Sequence, residues 1–220
     1  FPYTTLFRSV SSYSFAYDAT DPSVSDLTSP SGTDTDGTVE FTLSFSEPVD
    51  VSTVTAADDL TITGGTIDSV TPVGATDGAA TTFTVTVSGS GDVGSTLDLA
   101  VAAGALFSDR AGNETDLAEA VTDSASIDTV HPSVVSFATD HQAGDHIKAG
   151  ETVAITATLS EAVQAGGQIT VNLNSGGSAV LTADDEGTTL SGTYTVLDGY
   201  NADTLSVTGI TLNGSAPLDV

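Results

Sequence analysis

Apolar and polar side chains alternate along much of this chain, which is the period-two pattern of β-strands. The clearest run is residues 39–45, where Val, Phe, Leu and Phe alternate with Glu, Thr and Ser. The same alternation recurs at 83–87, 97–101, 169–173 and 205–207. Because alternate side chains of a strand point to opposite faces of a sheet, each run predicts a strand with one buried face.

Turn signals separate these runs and set the predicted fold class. Glycine-containing turns stand at 64–65, 77–78, 89–94, 176–177 and 198–199, and about seven short strands in about 110 residues is the pattern of an immunoglobulin-like sandwich. The only helix-like stretch is too short and lacks caps. We therefore predict an all-β protein made of tandem immunoglobulin-like antiparallel β-sandwiches, the second of them truncated.

The truncation is inferred from an internal repeat. Residues 17–24 align with 127–134 at an offset of 110, and 39–49 align with 153–163 at an offset of 114. Repeats of this kind predict one structural unit per period. The predicted organisation is the last strand of a preceding repeat at 10–18, an immunoglobulin-like repeat at 19–128, and a second repeat without its final strand at 129–220.

The first nine residues differ from the rest of the chain in composition. They hold two of the eight Phe residues and Arg8, one of three Lys and Arg residues. Back-translation gives a sequence that looks like the end of a common sequencing-library adapter. We interpret residues 1–9 as an artefact and leave them out of the fold prediction. Since the chain contains no Met, we expect it to be a fragment of a longer protein.

Composition excludes several classes of partner and of chemistry. The chain has 30 Asp and Glu against 3 Lys and Arg, a net charge of −27, which argues against nucleic acid and anionic membranes as partners. No stretch approaches the ~18 consecutive apolar residues of a membrane span, so we expect no direct membrane insertion. The absence of Cys removes disulfides, thiolate metal sites and cysteine nucleophiles.

Four motifs resemble the bacterial immunoglobulin-like repeats of giant secreted adhesins. They are an Asp-x-x-x-Pro linker, the strand end at 45–49, the Gly-Gly strand end at 60–66, and the Ser-Asp-Arg-Ala-Gly-Asn loop at 108–113. The resemblance implies a non-catalytic stalk on the bacterial cell surface, whose partners are neighbouring repeats of the same chain; the adhesion target is not specified. The second unit departs from the pattern, because it stops before its own D-x-A-G-N loop. His131 also stands where the linker usually has a small or acidic residue.

The alternative is an accessory module, spacing or glycan-binding, of an extracellular polysaccharide-degrading enzyme. Flanking sequence would distinguish the two, since one predicts a catalytic domain and the other many further repeats. Enzyme motifs are weak here. The Gly-x-Gly-x-x-Gly run at 89–94 is followed by a strand, whereas a dinucleotide site needs a helix. The three His are too scattered for a zinc site, and no Ser lies in a nucleophile elbow. We predict no enzyme activity.

Acidic residues give the one constellation that predicts chemistry. In an immunoglobulin-like order the end of the second strand and the loop after the sixth strand lie at the linker end of a unit. Carboxylates from three chain segments should therefore converge there, and oxygen-rich anionic pockets suit Ca²⁺. We expect calcium to stiffen the junctions between repeats, with the second junction repeating part of the first. The predicted calcium ligands are Asp18, Asp21, Glu47, Asp109 and Asn113 at the first junction and Asp128 and Glu161 at the next.

Overall fold

The computed structural model describes residues 17–142, 144–199 and 203–212. The chain is all-β, with three sheets that are mostly antiparallel, one of them curled into a half-barrel. It divides into two compact units, unit 1 ending at Val130 and unit 2 beginning at His131. The predictions for residues 1–9 and for nearly all of 10–18 lie outside the described residues.

Unit 1 consists of two four-stranded sheets, with strand orders β1-β3-β6-β5 and β2-β8-β7-β4. A 3₁₀ turn at Val51–Thr53 follows β3. The strands are β1 Val24–Thr28, β2 Thr33–Asp34, β3 Thr38–Asp50, β4 Leu60–Thr63, β5 Gly65–Val73, β6 Ala79–Gly89, β7 Ser95–Val101 and β8 Val121–Ile127.

One hydrophobic core joins the inward faces of these two sheets. Phe41 of β3 and Phe83 of β6 come from one sheet, Leu97 and Leu99 of β7 from the other, and all four are almost completely buried. Phe45 packs edge-on against Phe83, with ring centroids 5.7 Å apart. The alternation in the sequence therefore becomes a continuous apolar layer, and its removal from water is the main stabilising contribution.

The described residues of unit 2 form one six-stranded sheet with the order β14-β11-β12-β13-β10-β9. Its separate core includes Ile155 of β10, Val171 of β11, Leu181 of β12 and Tyr194 of β13. The strands are β9 Val134–Thr139, β10 Thr152–Val163, β11 Gln168–Leu173, β12 Ser178–Thr182, β13 Gly187–Thr195 and β14 Val207–Leu212.

The pairing in unit 2 repeats part of that in unit 1, and two strands of unit 1, β2 and β8, have no counterpart among the described residues. β9, β10 and β13 pair in the order of β1, β3 and β6, and β11 pairs with β14 as β4 pairs with β7. Unit 2 adds a pairing of β11 with β12, which merges its strands into one sheet. Among the described residues of unit 2, none forms a counterpart of β8.

The all-β prediction is confirmed, and the alternating runs at 83–87, 97–101 and 169–173 lie in β6, β7 and β11. The sheets are mostly antiparallel, as predicted, with one exception: the two-residue β2 runs parallel to β8. The immunoglobulin-like sandwich topology stays a prediction. The described part of the chain contains no helix that is long and apolar enough to cross a membrane.

Candidate metal site

Carboxylates from three separate segments of unit 1 lie together. Asp18 belongs to the segment before β1, Glu47 lies near the end of β3, and Asp109 lies in the loop between β7 and β8. Each offers one carboxylate oxygen, and these oxygens lie within 4.8 Å of one another. Asp18 is exposed, Glu47 is half-buried and Asp109 is buried. We call these three residues the entry cluster.

The β7–β8 loop holds Asp109 in place because the loop is packed into the core. Phe107 is completely buried, and its ring lies 5.0 Å from that of Phe45. Next to it, the backbone N–H of Asp50 donates to the carbonyl of Ser108 at 2.8 Å, and Asp109 forms a β-bridge with Val49. The loop is thereby joined to the strand that carries Glu47.

Asn113 fixes the Asp109 side chain rather than extending the cluster. Its side-chain Nδ2 donates to Asp109 Oδ2 at 2.7 Å, and its backbone N–H donates to Asp109 Oδ1 at 2.8 Å. The Asp109 backbone N–H in turn donates to the carbonyl of Asn113 at 2.9 Å. Both carboxylate oxygens of Asp109 are therefore oriented by the last residue of the D-x-A-G-N motif. The role of Asn113 as a direct ligand stays a prediction.

The segment that carries Asp18 is tied to β3 by a reciprocal pair of hydrogen bonds. The backbone N–H of Ser23 donates to Ser46 Oγ at 3.0 Å, and the backbone N–H of Ser46 donates to the carbonyl of Ser23 at 2.9 Å. Ser46 precedes Glu47, so the tie lies beside the entry cluster. Unit 2 has the same arrangement, since Ser133 and Ser160 exchange the corresponding bonds at 2.9 and 2.8 Å.

Burial and like charge act together on Glu47. Desolvation, followed by the negative charges of Asp18, Asp109 and Asp21, raises the pKa of Glu47 above its usual value. The pKa of Asp109 shifts the other way: burial would raise it, but hydrogen bonds from Asn113, Gly112 and Ala111 together lower it. Hydrogen bonds therefore stabilise the ionised form of Asp109, whereas burial and like charge destabilise the ionised form of Glu47 in the metal-free cluster.

A cation would relieve this repulsion, and no basic side chain among the described residues does so. Arg110 is adjacent to Asp109 in sequence, yet its guanidinium pairs with Asp77 at 3.4 Å, with both side chains exposed. The donors of the entry cluster are all carboxylate oxygens, the ligands that hard cations such as Ca²⁺ prefer. Such acidic clusters could bind a metal ion, with water or Asp21 completing the coordination.

The remaining predicted ligands lie elsewhere. Asp21 contributes charge at Glu47 but is outside the 4.8 Å group. Asp128 follows β8 in unit 1 and is 1% exposed, and its Oδ1 accepts from the backbone N–H of Val130 at 3.3 Å. Glu161 is buried in β10 of unit 2. The entry cluster therefore contains neither Asp128 nor Glu161, and their role as ligands stays a prediction.

Asp92, which the sequence did not single out, lies close to Asp128. The two side chains each offer a carboxylate oxygen within 4.8 Å of the other, and Asp128 Oδ2 is buried without a hydrogen-bond partner among the described residues. Asp92 belongs to the 89–94 loop, whose only sequence signal was that of a hairpin turn. Its proximity to Asp128 results from backbone pairing just after the end of β8, because the backbone N–H of Thr129 donates to the carbonyl of Gly91 at 2.8 Å.

Unit 2 contains an open cavity of about 540 Å³. His141, His146, Asp145 and Asp203 are among the residues that line it. Tyr194 also lines it but is buried in the core, and its hydroxyl lies 3.1 Å from Ser175 Oγ. The described lining therefore offers no exposed Phe, Tyr or Trp ring on which a sugar could stack.

Comparisons with protein-family models, curated proteins and solved structures give no match to this chain.

Proposed function

We propose that this chain is a stalk section of a large secreted adhesin on a bacterial cell surface, in which Ca²⁺ fixes the entering polypeptide to each complete unit. The observation that carries the proposal is the entry cluster. Asp18 belongs to the entering segment, whereas Glu47 and Asp109 belong to the packed body of unit 1. A cation bound to all three joins a linker to a folded unit.

The mechanism requires that binding favour one position of the linker. Without a cation, the carboxylates repel one another, and the like charge at Glu47 opposes the approach of Asp18. With Ca²⁺ bound, the same oxygens become ligands, and the repulsion becomes attraction to a shared charge. The Ser23–Ser46 hydrogen bonds lie next to this point and restrict the adjacent backbone. A stalk needs this property, because bending at linkers shortens it.

The tandem arrangement supports a spacing role over a catalytic one. Both units carry the same serine pair and share much of their strand pairing, and both belong to a strongly acidic chain rich in small residues. We expect no enzyme activity, and neighbouring repeats of the same polypeptide are the expected partners. The immunoglobulin-like topology and the resemblance to adhesin repeats belong to this proposal. The accessory-module alternative gains no support from the unit 2 cavity, because its described lining has no exposed Phe, Tyr or Trp ring for a sugar.

Thermal unfolding with and without calcium tests the proposed site. A ligand that binds only the folded form stabilises it by about 2.7 kcal/mol at a hundredfold excess over Kd, which for a unit of this size raises Tm by roughly 10 °C. We expect this rise for the unit 1 transition in millimolar Ca²⁺, and a smaller one with Mg²⁺, which demands tighter octahedral geometry.

Glu47→Gln should abolish most of the calcium effect. Glu40→Gln is the matched control, because Glu40 lies on the same strand and is exposed, so it should leave the calcium effect intact. Identical melting curves in chelator and in millimolar calcium would rule out the proposed site. Equal losses in both variants would show that calcium acts on the net charge of the chain and binds no defined cluster.

A further inference from the structure

Among the described residues of unit 1, Arg110 is the one side chain with a permanent positive charge. Between residues 17 and 130 the sequence contains no other Lys or Arg. Arg110 directly follows the proposed ligand Asp109, so the two Cα atoms are about 3.8 Å apart. A guanidinium presents its N–H donors in a planar fork that fits carboxylate oxygens. The β7–β8 loop therefore carries, next to the entry cluster, a group that could occupy the cluster in place of a metal ion.

The guanidinium of Arg110 pairs instead with Asp77, and this pair is weak. Arg110 Nη1 lies 3.4 Å from Asp77 Oδ2, and the two side chains are 60% and 73% exposed. Water and salt screen an ion pair that is this exposed, so it contributes little to stability. Arg110 is therefore held away from the entry cluster by a contact that is easily broken.

The turn that carries Asp77 is fixed beside the β7–β8 loop. Asp77 lies between β5 and β6 with a φ of 53°, in the left-handed region that short polar residues such as Asp tolerate. The backbone N–H of Val51 donates to the carbonyl of Gly78, the next residue of this turn, at 3.0 Å. The backbone N–H of Asp50 donates to the carbonyl of Ser108 in the loop at 2.8 Å. The turn and the loop are thus bound to adjacent residues at the end of β3.

The charges acting on two carboxylates of β3 show where the guanidinium has its effect in this position. Hydrogen bonds from Ser52, together with the positive charge of Arg110, lower the pKa of Asp50. At Glu47, by contrast, burial and three neighbouring carboxylates raise the pKa. The positive charge of Arg110 thus acts at the end of β3, while the entry cluster keeps its excess of negative charge.

We propose that Arg110 is a built-in competitor of the cation, and that Asp77 is a positioning residue that keeps Arg110 away from the entry cluster. The inference rests on the proposed function, because it concerns the same site. Without the Asp77 carboxylate, the guanidinium is free to turn toward Glu47 and Asp109, where negative charge is concentrated. It would then bond to the oxygens that a cation needs, and Ca²⁺ would have to displace it.

A double-mutant cycle of Asp77→Asn and Arg110→Gln in the full chain tests the inference, with calcium affinity measured by titration calorimetry. Asn tolerates the left-handed φ of position 77, so the turn should be retained. We expect Asp77→Asn to lower the affinity for Ca²⁺ about fivefold and Arg110→Gln to raise it. In the Arg110→Gln background, Asp77→Asn should change the affinity by less than about twofold, because no competitor is left to release. The matched control is Asp68→Asn, which removes an exposed negative charge from β5 and should lower the affinity less than Asp77→Asn does.

Thermal unfolding in chelator gives a second readout that requires no bound metal. In the wild-type background, Arg110→Gln removes only an exposed ion pair and should shift the Tm of unit 1 slightly. In the Asp77→Asn background, the same substitution would remove a guanidinium that is paired with the partly buried entry cluster. The Tm should therefore fall further in that background.

Two outcomes would overturn the inference. The first is that the effects of Asp77→Asn and Arg110→Gln simply add, both on calcium affinity and on melting in chelator, because Arg110 would then not move. The second is an equal loss of calcium affinity in Asp77→Asn and Asp68→Asn, because net charge would then be the cause. The absence of any calcium response in the wild-type chain and in Arg110→Gln would instead refute the proposed site. The melting cycle in chelator would then still show whether Arg110 turns to the cluster.

Discussion

Units 1 and 2 share the serine pair and much of their strand order, and they differ most after β7 in unit 1 and β14 in unit 2. Both have the serine pair at the entering segment, with Ser23 and Ser46 in one and Ser133 and Ser160 in the other. In unit 1, β7 is followed by the Asp109 loop and then by β8. Among the described residues of unit 2, β14 has no such continuation. The stretch of chain from β7 to β8 thus gives unit 1 both a neighbour for the edge of β7 and the Asp109 carboxylate of the entry cluster.

The β8 strand and the candidate metal site are therefore structurally coupled. The loop contributes Phe107 to the core and Asp109 to the entry cluster, two residues apart. Packing of Phe107 in the core orients Asp109. Unit 2 has Glu161 at the position equivalent to Glu47, but no described counterpart of either loop residue. Substitutions in the β7–β8 loop, and matched substitutions at equivalent positions of the two units, test this coupling.

Phe107→Ala should have the largest effect, because it removes the buried side chain that fixes the loop. Truncating a buried Phe to Ala costs about 3–5 kcal/mol, so the Tm of unit 1 should fall by more than about 10 °C. The calcium response should be lost as well, since Asp109 is no longer positioned. Calorimetry checks both effects. Leu106→Ala is the control, because Leu106 is exposed; a similar loss there would contradict the assignment.

Leu99→Ala and Ile210→Ala compare equivalent positions in the two units. Leu99 lies opposite Ile62 of β4, as Ile210 lies opposite Val171 of β11. Leu99 is fully buried on a strand that pairs with both β4 and β8, so its truncation should cost about 2–5 kcal/mol. Ile210 is half-exposed, so its truncation should cost less than about 1 kcal/mol. Denaturant unfolding of each variant checks the difference. Equal costs would mean that Ile210 is covered in solution and that the two units do not differ at this edge.

Glu47→Gln should have a small stabilising effect on the metal-free chain at pH 7. The pKa of Glu47 is raised above 4.5 in the folded state, so its ionised form opposes folding. Removing that charge should raise the Tm of unit 1 slightly. Asp109→Asn should act in the opposite direction, because the pKa of Asp109 is lowered by hydrogen bonds that its anion accepts.

The pH dependence of the stability tests the expected direction of both effects. As pH falls through the raised pKa of Glu47, the folded wild-type chain takes up a proton and the advantage of Glu47→Gln shrinks, reaching zero below 4.5. The stability that Asp109 contributes is present above 3.8 and is lost as pH falls through its lowered pKa. Melting curves of the chelated protein between about pH 7 and pH 4 measure the first trend. An advantage that is constant with pH would show that charge at Glu47 is not its cause.

The sequence predicts the long strands well, because each contains five or more residues of regular alternation. β3, β6 and β7 lie where the pattern places them. It does not predict β2, whose two residues pair in parallel with the distant β8, since two residues carry no period. β5 was also not among the alternating runs, because its register shifts between Ile67 and Ser69. Short or irregular strands of this kind are determined by pairing with neighbouring strands rather than by a pattern in their own sequence.

The candidate site shows the same division. Topological order sufficed to bring Asp18, Glu47 and Asp109 to one end of unit 1, because strand direction alone determines it. The interaction of Asn113 with Asp109 depends on loop geometry that residue spacing does not encode. Asp92 was missed for a related reason, since it lies near Asp128 only through the backbone pairing of Thr129 with Gly91.

Hydrogen exchange of the intact chain, with calcium and with chelator, is the sharpest test of the calcium proposal, because it reads both units in one sample. The β7–β8 stretch is proposed to give unit 1 a cation site that unit 2 does not form from its own described residues. Calcium should slow exchange at 18–24, 46–50 and 107–115, leave 168–173 and 207–211 unchanged, and lose this effect in Glu47→Gln. Equal slowing throughout both units, or no change at 107–115, would refute the proposed difference between them.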